Sequence, residues 1–294
     1  MKVFRIRLAM VLMALVSALG VAACGGEEES ASTTSSTGAT GATGATGGES
    51  DSSSTSSADL GLLNEGELLV GTDAPFPPFE IGTPDVSGFS GYDIEVMNAI
   101  ADQLGVEPTY MNTSFNTIFR DTASGQFDIA AAASTITPER SKVVTFSDPY
   151  YEAQQALVVA EGSDVASVDD LSGLIVGAQD GTTGETYAND ETEASEVRGF
   201  PQGPDAIAAL TTGQVEAVII DQPVAIDAEE QTGGVTVVEE IQTDELYGFP
   251  MAPDNTALIE AVNGALDELK QDGTIDELYE KYFSTTPPET VSGG

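Results

Sequence analysis

The chain has 294 residues, and its nine Lys and Arg stand against 49 Asp and Glu, for a formal net charge of −40. Such an excess of negative charge repels nucleic acid, so we expect no nucleic-acid partner. The chain contains no His and a single Cys, which removes Ser-His and Cys-His catalysis and His-ligated metal sites. The composition therefore favours a binding protein without cofactor or metal over an enzyme.

The N-terminus resembles an export signal. Residues 1–23 combine three basic residues with an apolar run from Leu8 to Val21, the layout of a secretory signal peptide. The run ends in VAAC, and small residues before a cysteine resemble a bacterial lipobox, in which the cysteine is lipidated after cleavage. We expect Cys24 to carry a lipid anchor. The alternative is a signal-peptide cysteine with no further role.

Residues 24–58 have the composition of a tether. They consist largely of Ser, Thr, Gly, Ala and Glu with a GAT repeat, and they contain no aromatic residue. A flexible coil of this length spans roughly 30 Å, enough to hold a folded domain clear of lipid headgroups. We expect an extracytoplasmic protein, at the cell surface or in the periplasm, that touches the membrane only through lipid at Cys24.

Apolar periodicity then predicts alternating strands and helices. The letters ELLVGTD predict a strand at Glu67–Asp73, and the helical pattern of DIEVMNAIADQL stops at Gly105. The further predicted elements are strands near Pro108–Met111, Asp128–Ala133, Leu174–Gln179, Val197 and Val215–Asp221, and helices from Asn116 to about Ser124, from Thr183, and over Pro204–Thr212. Continuous apolar strands between helices indicate parallel sheets covered on both faces.

One order of elements occurs twice. Segments 123–134 and 211–221 both contain a helix end, a Gly-Gln turn, an acidic residue and an apolar strand that runs into polar residues. We interpret them as equivalent parts of two similar lobes, although two unrelated helix-to-strand turns could look alike. Because ligands bind at the carboxyl ends of parallel strands, the repeat points to Ser134, Thr135 and Asp221.

Five stretches carry a resemblance to a known family. They are DAPFPPFE (Asp73–Glu80), GYDIEVMNAIADQL (Gly91–Leu104), STITPERSKVVTFSDPYY (Ser134–Tyr151), GAQDGTTGE (Gly177–Glu185) and DQP (Asp221–Pro223). In this order they resemble the extracellular solute-binding proteins, family 3, of amino-acid ABC transporters. The resemblance implies an α/β, two-lobed periplasmic-binding-protein-like (type II) fold with a ligand cleft between the lobes. It also implies an amino-acid ligand, permease subunits as partners and a monomer.

The resemblance and the element order together divide the chain. We expect one lobe from residues 59–152 and 246–286, a second lobe from residues 153–245, and a disordered tail at residues 287–294. The two crossings between lobes would act as hinges for closure around the ligand.

The predicted anion site draws on both lobes. Arg140 follows a strand end, and its planar guanidinium can hold a carboxylate through two hydrogen bonds; a surface arginine paired with acids is the alternative. The resemblance adds the hydroxyl of Thr135 as a donor to the same carboxylate. The GTTGE loop opens a helix, so the amides of Thr182 and Thr183 can face the anion, although helix caps use the same residues. Lys142 is expected to be solvated or to meet a partner.

The remaining predicted ligand contacts follow from the resemblance. Asp221 would bind the ligand's ammonium group, with a structural cap of the next helix as the alternative. Phe76 and Phe115 would sandwich the ligand's side chain, or belong to the core. Asp73 would face the distal end of the ligand, where a carboxylate suits a cationic or amide group. Ala133 stands where the family often has glycine.

We therefore expect a polar amino acid as ligand, glutamine-like or cationic, delivered to an ABC permease. Two other functions stay open. One is a ligand-sensing lipoprotein that acts on a receptor in trans. The other is a dehydratase-type enzyme on the same fold, with Asp73 and Asp221 as acid and base.

Overall fold

The computed structural model describes residues 60–293. Its strands form two five-stranded sheets. The first sheet contains β1 (Glu67–Thr72), β2 (Glu107–Asn112), β3 (Ile129–Ala130), β4 (Thr145–Phe146) and β10 (Pro250–Met251). Its strand order is β2-β1-β3-β10-β4; β1 pairs in parallel with β2 and β3, and β10 pairs antiparallel with β3 and β4. We call the part of the chain around this sheet the first lobe.

The second sheet forms the second lobe. Its strands are β5 (Tyr151–Ala160), β6 (Ile175–Gln179), β7 (Glu196–Phe200), β8 (Ala217–Asp221) and β9 (Val235–Tyr247), in the order β7-β6-β8-β5-β9. Strands β6, β7 and β8 are parallel, whereas β5 runs antiparallel to β8 and β9. The strands predicted from the sequence run parallel in both lobes, as expected, and the antiparallel pairings come from β5 and β10, which the sequence did not predict.

Seven helices cover the sheets within residues 60–293. They are α1 (Tyr92–Leu104), α2 (Phe115–Ala123), α3 (Thr183–Glu191), α4 (Gly203–Thr211), α5 (Gln222–Thr232), α6 (Thr256–Gln271) and α7 (Thr274–Phe283). Helix α1 ends where the sequence predicts, with Gly105 in the left-handed conformation that glycine adopts most easily. The C-terminal helices α6 and α7 pack against α1, so the chain returns to the first lobe.

Two neighbouring strands carry the chain between the lobes. The start of β5 at Tyr151 pairs with the end of β9 at Tyr247, so both crossings lie side by side. The pairing shifts register between Ala153 and Gln155, where β9 contains extra residues and Asp244 has a φ of 50°. A bulge of this kind bends a strand and re-aims its side chains.

Aromatic rings pack behind the crossings. Phe79 lies 5.0 Å from the ring of Tyr151 and 5.4 Å from that of Tyr247. Gly91, which precedes α1, has a φ of 129°, and a Cβ there would lie 2.0 Å from the carbonyl oxygen of Phe79. Only glycine fits this position, because the loop that carries Phe79 touches the backbone at the start of α1.

The C-terminal tail differs from the expectation of disorder at residues 287–294. Val291 is fully buried, and the Thr290 hydroxyl donates a 2.6 Å hydrogen bond to the carboxylate of Glu152 on β5. The tail is ordered because the side chain of Val291 packs into the largest cluster of buried apolar residues. Residues 1–59, including the expected signal peptide, Cys24 and the tether, lie outside the described residues. Among residues 60–293 no helix has the length and apolar content required to cross a bilayer.

Candidate functional site

A narrow cleft lies between the lobes, and polar side chains from both of them line it. Ala132 and Gln179 line it together with all nine residues predicted to contact the ligand. Those nine are Asp73, Phe76, Phe115, Ala133, Thr135, Arg140, Thr182, Thr183 and Asp221. Three of the lining residues stand at strand ends, since Asp73 follows β1, Gln179 ends β6 and Asp221 ends β8. Each lobe thus contributes one edge of its parallel strands to the cavity.

Arg140 begins a single 3-10 turn and reaches from the first lobe to the second. Its Nη1 donates to the carbonyl of Thr135 at 2.8 Å and its Nη2 donates to the carbonyl of Gly181 at 3.0 Å. The guanidinium carbon lies 4.6 Å from the ring centre of Phe119 and 5.1 Å from that of Phe115, a cation–π arrangement. Burial lowers the pKa of Arg140 to about 10, so the group stays charged at neutral pH. The alternative of a surface ion pair does not match this geometry.

Lys142 is exposed and lies outside the cavity, in contrast to Arg140. Its side chain is exposed and its Nζ lies 3.5 Å from a carboxylate oxygen of Glu139, which is itself exposed. Such surface pairs contribute little to stability. The solvated position expected for Lys142 is therefore the one that the structure has.

The GTTGE loop places its two threonines differently from the expectation. Thr182 is the cap of α3: its hydroxyl accepts from the amide of Glu185 at 3.1 Å, and its own amide donates to the carbonyl of Gln179 at 3.3 Å. The Thr182 amide is therefore engaged within the loop. Thr183 is the first residue of α3, and its amide has no acceptor among the hydrogen bonds of the described residues. An anion in the cavity would meet the amide of Thr183.

Asp221 is buried at the end of β8, where its side chain makes no capping hydrogen bond to α5. The cap alternative therefore has no support in the geometry. Burial, followed by the neighbouring carboxylate of Glu245, raises the pKa of Asp221 to about 7. The amide nitrogen of Gln155 donates to Asp221. A carboxylate in this environment is stabilised by any cation that reaches it.

Asp73 and Gln179 meet across the cavity. The Gln179 amide nitrogen donates to Asp73 Oδ2 at 2.6 Å and to the carbonyl of Pro201 at 3.3 Å. Burial raises the pKa of Asp73 to about 6. Gln179, the last residue of the strand predicted at Leu174–Gln179, is thus the polar partner of Asp73. Within residues 60–293 no cluster of three or more acidic or Cys side chains is arranged to hold a metal.

Ala133 has a φ of 44°, in the left-handed region that disfavours residues with a Cβ. Its amide donates a 2.8 Å hydrogen bond to Asp93, whose carboxylate also accepts from the hydroxyl of Tyr150 at 2.8 Å. Asp93 is fully buried, and burial raises its pKa to about 6. A glycine would adopt this backbone with less strain than Ala133 does, and the hydrogen bond to Asp93 holds the backbone in place.

Sequence reasoning missed Glu245, a buried residue of β9 next to the register shift. Its Oε2 accepts from the hydroxyls of Thr135 at 2.6 Å and Thr183 at 2.7 Å, and its Oε1 accepts from Gln155 Nε2 at 3.1 Å. Glu245 thus links the two lobes and touches two residues of the predicted site. The letters TDELYG hold no motif, and only the bulge turns this side chain inward.

These features define a two-lobed binding protein whose polar cavity is closed by residues from both lobes. The chain belongs to the bacterial extracellular solute-binding proteins, family 3, whose model matches residues 68–285. The fold predicted from the sequence is confirmed by this match and by the solved structures that resemble the chain.

Three relatives illustrate the similarity. The L-cystine-binding protein TcyJ of Escherichia coli K12 is 31% identical over 77% of this chain and 87% of its own length. The ABC transporter arginine-binding protein 1 of the same strain is 32% identical over 72% of this chain and 89% of its own length. An ancestral arginine-binding protein is 40% identical in structures with arginine (TM-score 0.70, covering 74% of this chain and 98% of the other) and with glutamine (TM-score 0.71, 75% and 99%). These relatives are binding proteins by name, in agreement with the expectation of a non-enzymatic role.

Proposed function

We propose that the chain captures a polar L-amino acid, either cationic or glutamine-like, in the cavity between its lobes. The observation that carries the proposal is the meeting of all nine predicted residues in one cavity. A free amino acid has a carboxylate and an ammonium group, and a buried site must satisfy both or leave a large desolvation penalty uncompensated. Arg140 supplies the positive charge for the first group and Asp221 the negative charge for the second.

The carboxylate of Asp73 supports a ligand whose side chain is cationic or an amide. A second acid on the ligand would meet Asp73 and Asp221 with like charge, and its desolvation would go uncompensated. Relatives named for binding arginine, and a structure of one with glutamine, agree with this choice. The cystine-binding relative makes L-cystine a necessary member of any ligand screen.

The proposal is tested by calorimetry of the purified protein with the twenty common L-amino acids and L-cystine. We expect a polar amino acid to bind, and Arg140→Ala to weaken its binding by roughly 30-fold to several thousand-fold, since removing one partner of a buried charge pair costs about 2–5 kcal/mol. Lys142→Ala is the matched control, two residues away and exposed, and should bind like the parent. No binding of any amino acid, or equal binding by Arg140→Ala, would reject the proposal.

We further propose that the protein hands this ligand to the permease subunits of an ABC importer while a lipid at Cys24 holds it to the outer face of the membrane. Relatives named as ABC transporter proteins support the first part, and the VAAC sequence supports the second. Cys24→Ala should release the protein from membranes or leave it unprocessed. Unchanged, detergent-dependent membrane association of the variant would contradict the anchor.

A further inference from the structure

The carboxylate of Glu245 is surrounded by donors from both lobes. It accepts the hydroxyl protons of Thr135 and Thr183 on one oxygen and the amide of Gln155 on the other. A hydroxyl has a single proton and two lone pairs, whereas an ionised carboxylate can only accept. Because both hydroxyl protons are directed at Glu245, each threonine can offer only lone pairs to a ligand in the cavity.

The register shift in β9 fixes this arrangement. The pairing of β5 with β9 skips residues 242–244 of β9, and the amide of Thr243 donates to Oε1 of Gln154 at 2.6 Å. This contact holds the bulge in place. Glu245, the first residue after the bulge, is thereby turned toward the cavity wall instead of solvent.

The wall around Glu245 holds two carboxylates, those of Glu245 and Asp221, and the donors beside them are neutral and include the buried hydroxyl of Tyr247 next to Asp221. The amide of Gln155 is shared by Asp221 and Glu245, and the carbonyl oxygen of this fully buried glutamine has no partner among the described residues. Arg140 directs one N–H each of Nη1 and Nη2 at a backbone carbonyl and makes no hydrogen bond to Glu245 or Asp221 among the described residues, so its remaining N–H groups are left for the ligand's carboxylate. A group with several N–H donors and a positive charge would satisfy this wall, and an ammonium group has three such donors.

We propose that Glu245 is a positioning residue for the α-ammonium group of the ligand. By taking the hydroxyl protons of Thr135 and Thr183, it turns both hydroxyls into acceptors, which together with Asp221 form the ammonium site. The inference rests on the proposed function, and it changes the expected role of Thr135 from a donor to the ligand's carboxylate into an acceptor from its ammonium group. The carboxylate of the ligand is left to Arg140 and the amide of Thr183.

The test compares each amino acid with the same molecule lacking its α-ammonium group. The probes are L-arginine with deaminoarginine and L-glutamine with deaminoglutamine, titrated into the parent and into Glu245→Gln. In the variant we expect both amino acids to bind about tenfold or more weakly, as for loss of a charge-assisted contact, and by a similar factor because both carry the same α-ammonium group. The deamino compounds should change less than about threefold. Glu240→Gln, an exposed position of the same strand, is the control and should bind like the parent.

Other outcomes contradict the inference. If Glu245→Gln weakens the binding of amino acids and of deamino compounds equally, Glu245 supports the structure of the cavity and does not position the α-ammonium group. Unchanged or tighter binding by Glu245→Gln would show that Glu245 competes for the hydroxyls with the ligand's carboxylate. If this variant does not fold by thermal melting, Thr183→Val, which removes one acceptor and keeps the side chain's shape, should show the same selective loss. A parent that binds neither L-arginine nor L-glutamine also rejects the inference, whereas the proposed function falls only if the full screen finds no ligand.

Discussion

The side-chain amide of Gln179 donates a 2.6 Å hydrogen bond to the carboxylate of Asp73 and so joins the end of β6 to the end of β1 across the cleft. The amide satisfies one carboxylate oxygen but supplies no charge. No cation among residues 60–293 stands beside the buried carboxyl of Asp73, and burial raises its pKa to about 6. A cationic ligand side chain would complete the pair.

Asp73→Asn should change selectivity more than overall affinity. The asparagine can still accept from Gln179, so the link between the lobes is retained while the charge is lost. We expect L-arginine to bind roughly 10- to 100-fold more weakly, as for the loss of a charge-assisted contact, and L-glutamine to change less than about threefold. Calorimetry with both ligands measures this. Asp102→Asn, at an exposed position of α1, is the control, and an equal loss for both ligands would contradict the role of Asp73.

Binding should strengthen as pH rises toward neutrality. The pKa of Asp221 is raised to about 7 in the ligand-free protein, so at lower pH its proton must leave before an ammonium group can bind. Between pH 8 and pH 6 the affinity of an amino acid should fall by about tenfold from this group alone. The Asp221→Asn variant should bind weakly with a flatter profile, and affinity that rises as pH falls would contradict the assignment.

The raised pKa of Asp221 should make its contribution to stability decrease as pH rises. The folded-state pKa of Asp221, about 7, lies above its ordinary value of 3.8, so the folded protein holds this proton more tightly than the unfolded chain. The contribution of Asp221 to the ligand-free fold is therefore greatest below pH 4 and declines as pH rises to about 7. Melting curves of the parent minus those of Asp221→Asn isolate this trend from the other acids.

Asp93 should stabilise the fold and hold the backbone of Ala133 in the cavity. Asp93→Ala leaves the amide of Ala133 and the hydroxyl of Tyr150 buried without their acceptor, and each loss costs about 1–3 kcal/mol. We expect the free energy of unfolding in urea to fall by about 2–4 kcal/mol. Asp102→Ala on the exposed face of the same helix should change it by less than about 0.5 kcal/mol. Equal effects of the two substitutions would show that Asp93 does not hold Ala133.

Gly203, the first residue of α4, should control closure. A Cβ there would lie 2.8 Å from the ring of Phe76 in the first lobe and 2.9 Å from Ile220, closer than real contacts allow. Overpacking of this kind costs about 1–3 kcal/mol, so Gly203→Ala should weaken every ligand by a similar factor of roughly 5- to 150-fold. Gly264→Ala, where a Cβ meets nothing within 4 Å, is the control. Parent-like affinity of Gly203→Ala in calorimetry would exclude a role in closure.

Sequence patterns bring residues to the same cavity most reliably where a charged residue follows a buried strand. Arg140, Asp73 and Asp221 each follow a strand or its turn, and charged residues that follow a buried strand are visible in a linear pattern. Glu245 could not be found in this way, because its inward direction depends on a bulge whose pairing partner, β5, lies some ninety residues earlier in the chain. The engagement of the Thr182 amide within its loop is likewise a matter of local geometry that letters alone do not specify.

In the fold, too, features set by local sequence are predicted, and features set by distant pairing are not. Helix ends marked by glycine, such as Gly105, are predicted closely, since left-handed backbone is a local property. Strand direction is not local: β5 pairs antiparallel with both β8 and β9, and no pattern within the letters of a single strand specifies this. Strand β3 is also shorter than its apolar run, because only Ile129 and Ala130 pair within the sheet.

The buried side chain of Val291 has a consequence for where the domain is cut. The family match ends at residue 285, and a gene truncated there would encode every residue of the cavity wall. It would also delete the valine that is buried in the main apolar cluster and the threonine that donates a hydrogen bond to Glu152 near the start of β5. Residues 290 and 291 thus attach the C-terminal tail to a strand that crosses between the lobes, and a shortened recombinant domain would expose the apolar surface that Val291 covers.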